Sequence, residues 1–201
     1  MTQAEKIQIE PLRREFLDEV ILIHHEGLGY TLNSKLGKKH LAFLYSSMQN
    51  DPDCHVGVAL AEGRPIGVVS GTLNDARLRS RLFRSMSAER LTATAVRLVL
   101  QPRMIVQWFQ ENAPGALLKR DDQEIGAVLT TLAVAGSHRG LGVGRQLVDD
   151  LEGFFGERNV SRYRLETLVA NGTAREFYGG LGFEEIARKG KSVVLLKGVG
   201  R

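Results

Sequence analysis

Three glycines at alternate positions, Gly140, Gly142 and Gly144, stand between Arg139 and Arg145 in the string "RGLGVGR". Ahead of them "VLTTLAVAG" has the texture of a strand, and behind them "RQLVDDLEGFF" has helical spacing. This order puts a helix N-terminus at the end of the glycines. Such a terminus carries unpaired N–H groups and a partial positive charge. Phosphate oxygens settle there when the backbone can come close, and glycine removes the side chains that would prevent it. The chemistry on offer is pyrophosphate binding by the backbone from Arg139 through Gly140, Leu141, Gly142, Val143 and Gly144 to Arg145, with the arginines adding charge. The alternative is a glycine-rich strand-to-helix turn that holds nothing.

The type of cradle can be narrowed. A Walker loop needs Gly, four residues, then Gly-Lys-Ser/Thr, and no such string is present. A dinucleotide fingerprint needs G-x-G-x-x-G, whereas this chain has G-x-G-x-G. Glu166 lies where a ribose-binding acid would, but only one βαβ unit follows the glycines. A nicotinamide-dependent oxidoreductase is therefore the weaker reading.

A second candidate stretch is "NGTAREFYGG". Thr173 and Glu176 have capping-box spacing, which predicts a helix from Ala174 that Gly179 and Gly180 end within one to two turns. Phe177 and Tyr178 are adjacent and so face different ways. If Phe177 packs inward, Tyr178 can point to a ligand; the alternative is a core aromatic.

The elements that must position these residues follow from periodicity. "IQIEPL" alternates as a short first strand. "REFLDEVILIHHEGL" has Phe16, Val20, Ile23 and Leu28 near helical spacing, with Gly27 and Gly29 at its end. "YTLNSKLGKKHLAFLYSSMQ" predicts one helix with Leu36, His40, Phe43 and Leu44 on a side. "HVGVALAEGRPIGVVSGTL" reads as a hairpin turning at Glu62, Gly63 and Arg64. Residues 75–113 are helical in pattern, interrupted at Pro102. Then come the strand, the glycine loop, a helix, the strand "RYRLETLV", the short helix, and strands near Phe183 and Ser192. His24 and His25 share a helix but point apart, so no metal is expected there. Arg77, Arg79, Arg81 and Arg84 sit among Leu78, Leu82 and Phe83, which fits an amphipathic helix with a solvated basic face. That stripe lacks the aromatics of single-strand nucleic-acid binders, so nucleic acid is not an expected partner.

Composition bounds the reading. The chain has 201 residues, 43% hydrophobic and 25% charged, with net charge +4, the profile of a globular protein with a mild preference for anions. Its apolar runs are far shorter than the ~20 residues of a membrane span, and the N-terminal residues have no apolar signal core. One cysteine, Cys54, rules out an intramolecular disulfide and a thiolate metal cluster. A cytoplasmic protein is expected, with no membrane partner.

The string from Arg139 to Gly144 resembles the R/Q-x-x-G-x-G/A signature of the GCN5-related N-acetyltransferases, the GNAT family. "NGTAREFYGGLGFEEIA" resembles that family's second signature, about 30 residues on. The resemblance is strong over residues 127–187, looser over 7–73, and fails over 75–113, where relatives have a short connection. It implies one α/β domain over residues 1–201: a mixed, mostly antiparallel sheet in three layers, flanked by helices, with a helical insertion at 75–113 between the third and fourth strands. It also implies acetyl-CoA as cosubstrate. Leu132, Ala133 and Val134 would pair with the pantetheine arm as an added strand would, the glycine loop would hold the pyrophosphate, and Asn171 would touch the cofactor near its pantetheine. A primary amine would attack the thioester directly, a backbone N–H near Val134 would steady the oxyanion, and Tyr178 would protonate the departing thiolate. An amine with pKa ~10 must first lose a proton; Glu124, His25, Asp75 or a water chain could take it. The expected function is acetylation of a small-molecule amine. A protein amine is the alternative acceptor, and a non-catalytic acyl-CoA sensor the alternative function. The apolar face of 75–113, with Trp108 and Phe109 near its end, must cover the acceptor site or a second subunit of a homodimer.

Overall fold

The N-terminal half builds one side of the molecule. Strand β1 (Gln8–Pro11) leads through a short 3-10 turn into α1 (Leu17–Leu28), followed by α2 (Leu32–Lys35) and α3 (Lys38–Gln49). Strands β2 (Cys54–Ala61) and β3 (Arg64–Thr72) form a hairpin, and α4 (Asp75–Ser85) follows. The second half runs β4 (Val128–Val134), α5 (Val143–Glu157), β5 (Arg162–Leu168), α6 (Gly172–Gly180), β6 (Glu184–Lys189) and β7 (Ser192–Gly198). The computed structural model describes residues 7–87 and 125–200.

These strands make one sheet in the order β1-β2-β3-β4-β5-β7-β6. Every pairing is antiparallel except β4 with β5. A core cluster under α1 and α3 covers one face, centred on Val20, Leu41, Tyr45, Val58 and Val68. The other face packs against α5 through Val143, Leu147, Leu151 and Phe155. These residues recur at helical spacing, which is why α5 buries one stripe and exposes the other. Among the described residues no helix is long and apolar enough to cross a membrane.

Two sequence expectations change here. The predicted helix over residues 30–49 is two helices, because Gly37 between them takes φ +91°, a conformation that leaves the helix. The buried stripe of α3 is consequently Leu41, Leu44, Tyr45 and Met48, one position on from the expected set. The hairpin turn is where it was expected, with Glu62 and Gly63 both at positive φ, as a tight two-residue turn demands.

Residues 75–113 were expected to be helical. Their first part is α4, which exposes Phe83; residues 88–124, with Pro102, Trp108, Phe109 and Glu124, lie outside the described residues. The connection leaves and returns at one place: Asp75 N–H donates to Gly126 O at 3.0 Å. Antiparallel β3 and β4 therefore need nothing from the intervening chain to pair, and they do so from Thr72↔Val128 to Gly67↔Val134.

Candidate active site

β4 and β5 touch at a single register pair, Val128↔Arg164, fixed by Arg164 N–H to Ala127 O at 3.1 Å. Beyond it the strands part. Arg164 pins the closed end of this cleft, donating from Nε to Ile125 O at 3.2 Å and lying 3.8 Å from Asp75. β5 keeps its full ladder with β7, so only its β4-facing edge is open. A bulge in the β3–β4 register lies between Ser70 and Gly71, with Thr130 the extra residue, and Thr130 donates its hydroxyl to Ser70 O at 3.1 Å.

The open edge of β4 carries the residues expected to meet the pantetheine arm. Ala135 N–H turns to β3, donating to Ile66 O at 2.8 Å. By strand alternation Ala133 turns the same way, and the N–H groups of Leu132 and Val134 face the cleft. Unsatisfied edge groups of this kind accept an extended ligand as a further strand. The end of α1 lies close over them: a β-carbon on Gly27 would sit 3.3 Å from that of Ala133.

The glycine loop stands at the mouth. Gly140 and Gly142 have φ +77° and +79°, the left-handed region, and a β-carbon on either would meet nothing within 4 Å. Gly142 is the N-cap of α5, with no side-chain cap. The first-turn N–H groups of Val143, Gly144 and Arg145 are therefore left for solvent or a ligand. Gly144 has another reason for being glycine. A β-carbon there would lie 3.1 Å from Cζ of Phe177, so the missing side chain makes room for a ring of α6. The arginines also have protein partners. Arg139 Nε donates to Val134 O at 3.0 Å, and Arg145 Nη2 reaches Gly180 O at 3.4 Å. Both remain exposed, and their charge still surrounds the loop.

The predicted capping box at Thr173 and Glu176 does not form. Asn171 is the N-cap, its Oδ1 accepting from Ala174 N–H at 3.2 Å, and the helix begins at Gly172. Asparagine outranks threonine as a cap. Gly179 and Gly180 do end the helix, as expected, and Leu181 caps it. Gly182, φ +86°, closes a Schellman motif: Phe183 N–H donates to Tyr178 O at 3.1 Å and Gly182 N–H to Gly179 O at 3.0 Å. Phe183 then packs edge-on against Tyr178, ring centroids 5.3 Å apart.

That motif fixes Tyr178. It is 8% exposed, wedged between Phe177 and Phe183. Phe177 is the less buried of the pair and packs on Gly144. Among the described residues the Tyr178 hydroxyl has no hydrogen-bond partner. Burial, with a smaller contribution from the phenol of Tyr30, raises its pKa above the ordinary tyrosine value. The phenol is thus held protonated.

His24 and His25 do point apart: His24 is buried and His25 exposed. His24 Nδ1 shares a 2.6 Å hydrogen bond with Tyr45 Oη, and burial lowers its pKa to about 4. Among the described residues no group of three or more His, Cys, Asp or Glu could hold a metal ion. Cys54 is buried, and its thiol is pushed up to about 11 by that burial.

A sheet opened between two parallel strands, with an uncapped, glycine-headed helix at its mouth, defines a protein that takes an extended ligand bearing a pyrophosphate. The chain belongs to the acetyltransferase (GNAT) family, whose model matches residues 29–183. It is accordingly an N-acetyltransferase with acetyl-CoA as cosubstrate. Solved structures agree in fold. PaiA N-acetyltransferase from Thermoplasma acidophilum, in complex with coenzyme A, superposes with TM-score 0.64 at 16% identity, over 96% of this chain and 99% of that one. A protein named SsHAT gives TM-score 0.63 at 20% identity, over 98% and 100%. The ribosomal-protein-S18-alanine N-acetyltransferase of Escherichia coli gives 0.59 at 14% identity, over 98% and 96%. A search of curated proteins by sequence found no match.

The fit of acetyl-CoA to this chain rests on the uncapped first turn of α5 and the open space above Gly140 and Gly142. Bound, it supplies an acetyl thioester.

Proposed function

We propose that this enzyme acetylates a primary amine of a small molecule, such as an amino sugar or amino acid. The observation that carries the reading is how closely α1 packs on β4, with Gly27 against Ala133. So close a helix favours a compact amine over an extended peptide as the acceptor. Leu132, Ala133 and Val134 align the pantetheine arm, residues 139–145 hold the pyrophosphate, and Asn171 offers its amide NH2 to the cofactor. A neutral amine attacks the carbonyl carbon, and the sulfur leaves with the proton of Tyr178. A cytoplasmic setting, where acetyl-CoA is made and used, suits this reaction. A homodimer is a further part of the reading, and exposed Phe83 on α4 supports it.

The test is thiol release from acetyl-CoA across a panel of amino sugars, amino acids, polyamines and aminoglycosides, with peptides carrying free N-termini and lysines alongside. Turnover of a small amine is expected. Turnover confined to peptides would replace the small-molecule reading with a protein acceptor. Tight acetyl-CoA binding with no thiol release from any amine would make the chain a sensor.

A further inference from the structure

The bulge in β4 decides which way the strand faces. Leu129 lies in the core under α5, whereas Ala133 lies in the core under α1 and α3. The two are an even number of positions apart, so an unbroken strand would put both on one face. Thr130, the extra residue, reverses the faces, and with them the direction of every backbone N–H group that follows. The open N–H groups of Leu132 and Val134 therefore depend on the bulge being held in place.

Side chains hold it from two sides. Ser70 Oγ lies 2.8 Å from Thr130 Oγ1, and Thr130 donates to Ser70 O at 3.1 Å. Next on β4, Thr131 shares a side-chain hydrogen bond with the phenol of Tyr45 on α3. The phenol shares a second, of 2.6 Å, with His24 Nδ1 on α1, and the two rings meet edge-on with centroids 5.7 Å apart. Ser70, Thr131, Tyr45 and His24 are all buried. This chain joins both helices of the layer to the residue just before the open edge. Its cost is visible: His24 Nε2 is buried and, among the described residues, has no hydrogen-bond partner. Apolar side chains of the same shape would leave no such orphan. A core that keeps one gains something other than stability, and a buried polar chain fixes a single arrangement of its partners.

We propose that Tyr45 is a positioning residue for acetyl-CoA. Tied to His24 and to Thr131, it holds the bulged segment of β4 in the register that turns the N–H groups of Leu132 and Val134 into the cleft. The inference rests on the reading above in which that edge aligns the pantetheine arm, and it adds a residue that no ligand touches. Tyr45 is fully buried, so it acts through β4 alone. Without the phenol, Thr131 and His24 lose the partner they share, and the bulge is left to the contact of Ser70 with Thr130. The edge is then less firmly set. The arm loses its ladder, while the glycine loop at the mouth keeps its hold on the pyrophosphate.

The test compares the parent protein with Tyr45→Phe and Thr131→Val, each of which removes one hydroxyl and keeps the shape. Calorimetric titrations, run well below each melting midpoint, use acetyl-CoA and 3′-phospho-ADP, which carries the pyrophosphate without the pantetheine arm. In both variants acetyl-CoA affinity is expected to fall ~10-fold, the weight of one or two edge hydrogen bonds, with KM for acetyl-CoA rising in step. Affinity for 3′-phospho-ADP should hold. Adding His24→Leu to Tyr45→Phe removes the imidazole left without a partner, and it should recover stability but not acetyl-CoA affinity. An acetyl-CoA affinity close to the parent's, equal losses for both ligands, or affinity that recovers together with stability would overturn the proposal. If Tyr45→Phe does not fold, Thr131→Val alone decides it. A parent protein that binds acetyl-CoA no more tightly than 3′-phospho-ADP overturns the strand-edge reading and this one together.

Discussion

Gly144 and Phe177 meet face to face: a β-carbon on the glycine would stand 3.1 Å from the ring. The contact joins the helix that opens on the glycine loop to the helix that carries Tyr178, and Arg145 Nη2 at Gly180 O runs parallel to it. The glycine loop and the helix of Tyr178 are thus held as one unit.

Gly144→Val should therefore push the Phe177 ring and displace α6. Overpacking of this kind costs ~1–3 kcal/mol. The expected result is lower stability and a lower kcat. Much of the stability loss should vanish in a Phe177→Ala background, where the ring is gone. A double-mutant cycle in denaturant reads the coupling; purely additive effects would mean that the two residues do not share the contact.

Gly142 separates strain from ligand approach. Its φ of +79° costs a residue with a β-carbon ~1–2 kcal/mol, but asparagine tolerates the region. Gly142→Asn should keep the melting temperature near the parent's while weakening acetyl-CoA binding. Gly142→Val should lose both stability and binding. Pantetheine, which lacks the pyrophosphate, should bind the parent protein much more weakly than acetyl-CoA. Calorimetric titration of the two ligands checks this, and equal affinities would count against the loop as a pyrophosphate site.

Tyr178→Phe removes a hydroxyl that has no partner among the described residues, so stability should barely change. If that hydroxyl protonates the thiolate, kcat falls by ~10-fold or more, about 1.4 kcal/mol of transition-state stabilisation. Steady-state kinetics with cofactor affinity and a melting curve decide it. A mutant turning over within a few-fold of the parent would leave Tyr178 as packing between Phe177 and Phe183.

His24 makes stability depend on pH. Its folded pKa of about 4 lies below the ordinary 6.5, chiefly because burial disfavours the charged ring, with His25 and His40 adding to the effect. The unfolded chain therefore binds the proton more readily. The stability this gives is full above pH 6.5 and is lost as pH falls from there toward 4, by roughly 3 kcal/mol in all. Denaturant midpoints at pH 7.5 and 4.5 should differ more for the parent than for His24→Gln. Equal differences would place the dependence elsewhere.

The sequence by itself determined the parts of the site that depend on local chain chemistry. Glycine at 140 and 142, with a helix behind, announces a backbone arranged for an anion, because left-handed φ and open approach are written in the residue type. The hairpin at Glu62-Gly63 was legible for similar reasons, whereas the strand edge at Leu132, Ala133 and Val134 was expected only from the family resemblance of the two signatures. What only the tertiary structure decided depends on which distant residue arrives as a neighbour. That Gly144 also admits the ring of Phe177, 33 positions along the chain, is invisible in the string. So are the carbonyls of Val134 and Gly180 that Arg139 and Arg145 reach. Capping strings at 171 and 173 compete locally, and Asn171 prevails where β5 ends. Glu166, at the spacing of a ribose-binding acid, is placed by the fold beside the point where β4 and β5 separate. Among the described residues its Oε1 is buried without a partner, a fact of burial and geometry that no spacing of residues encodes.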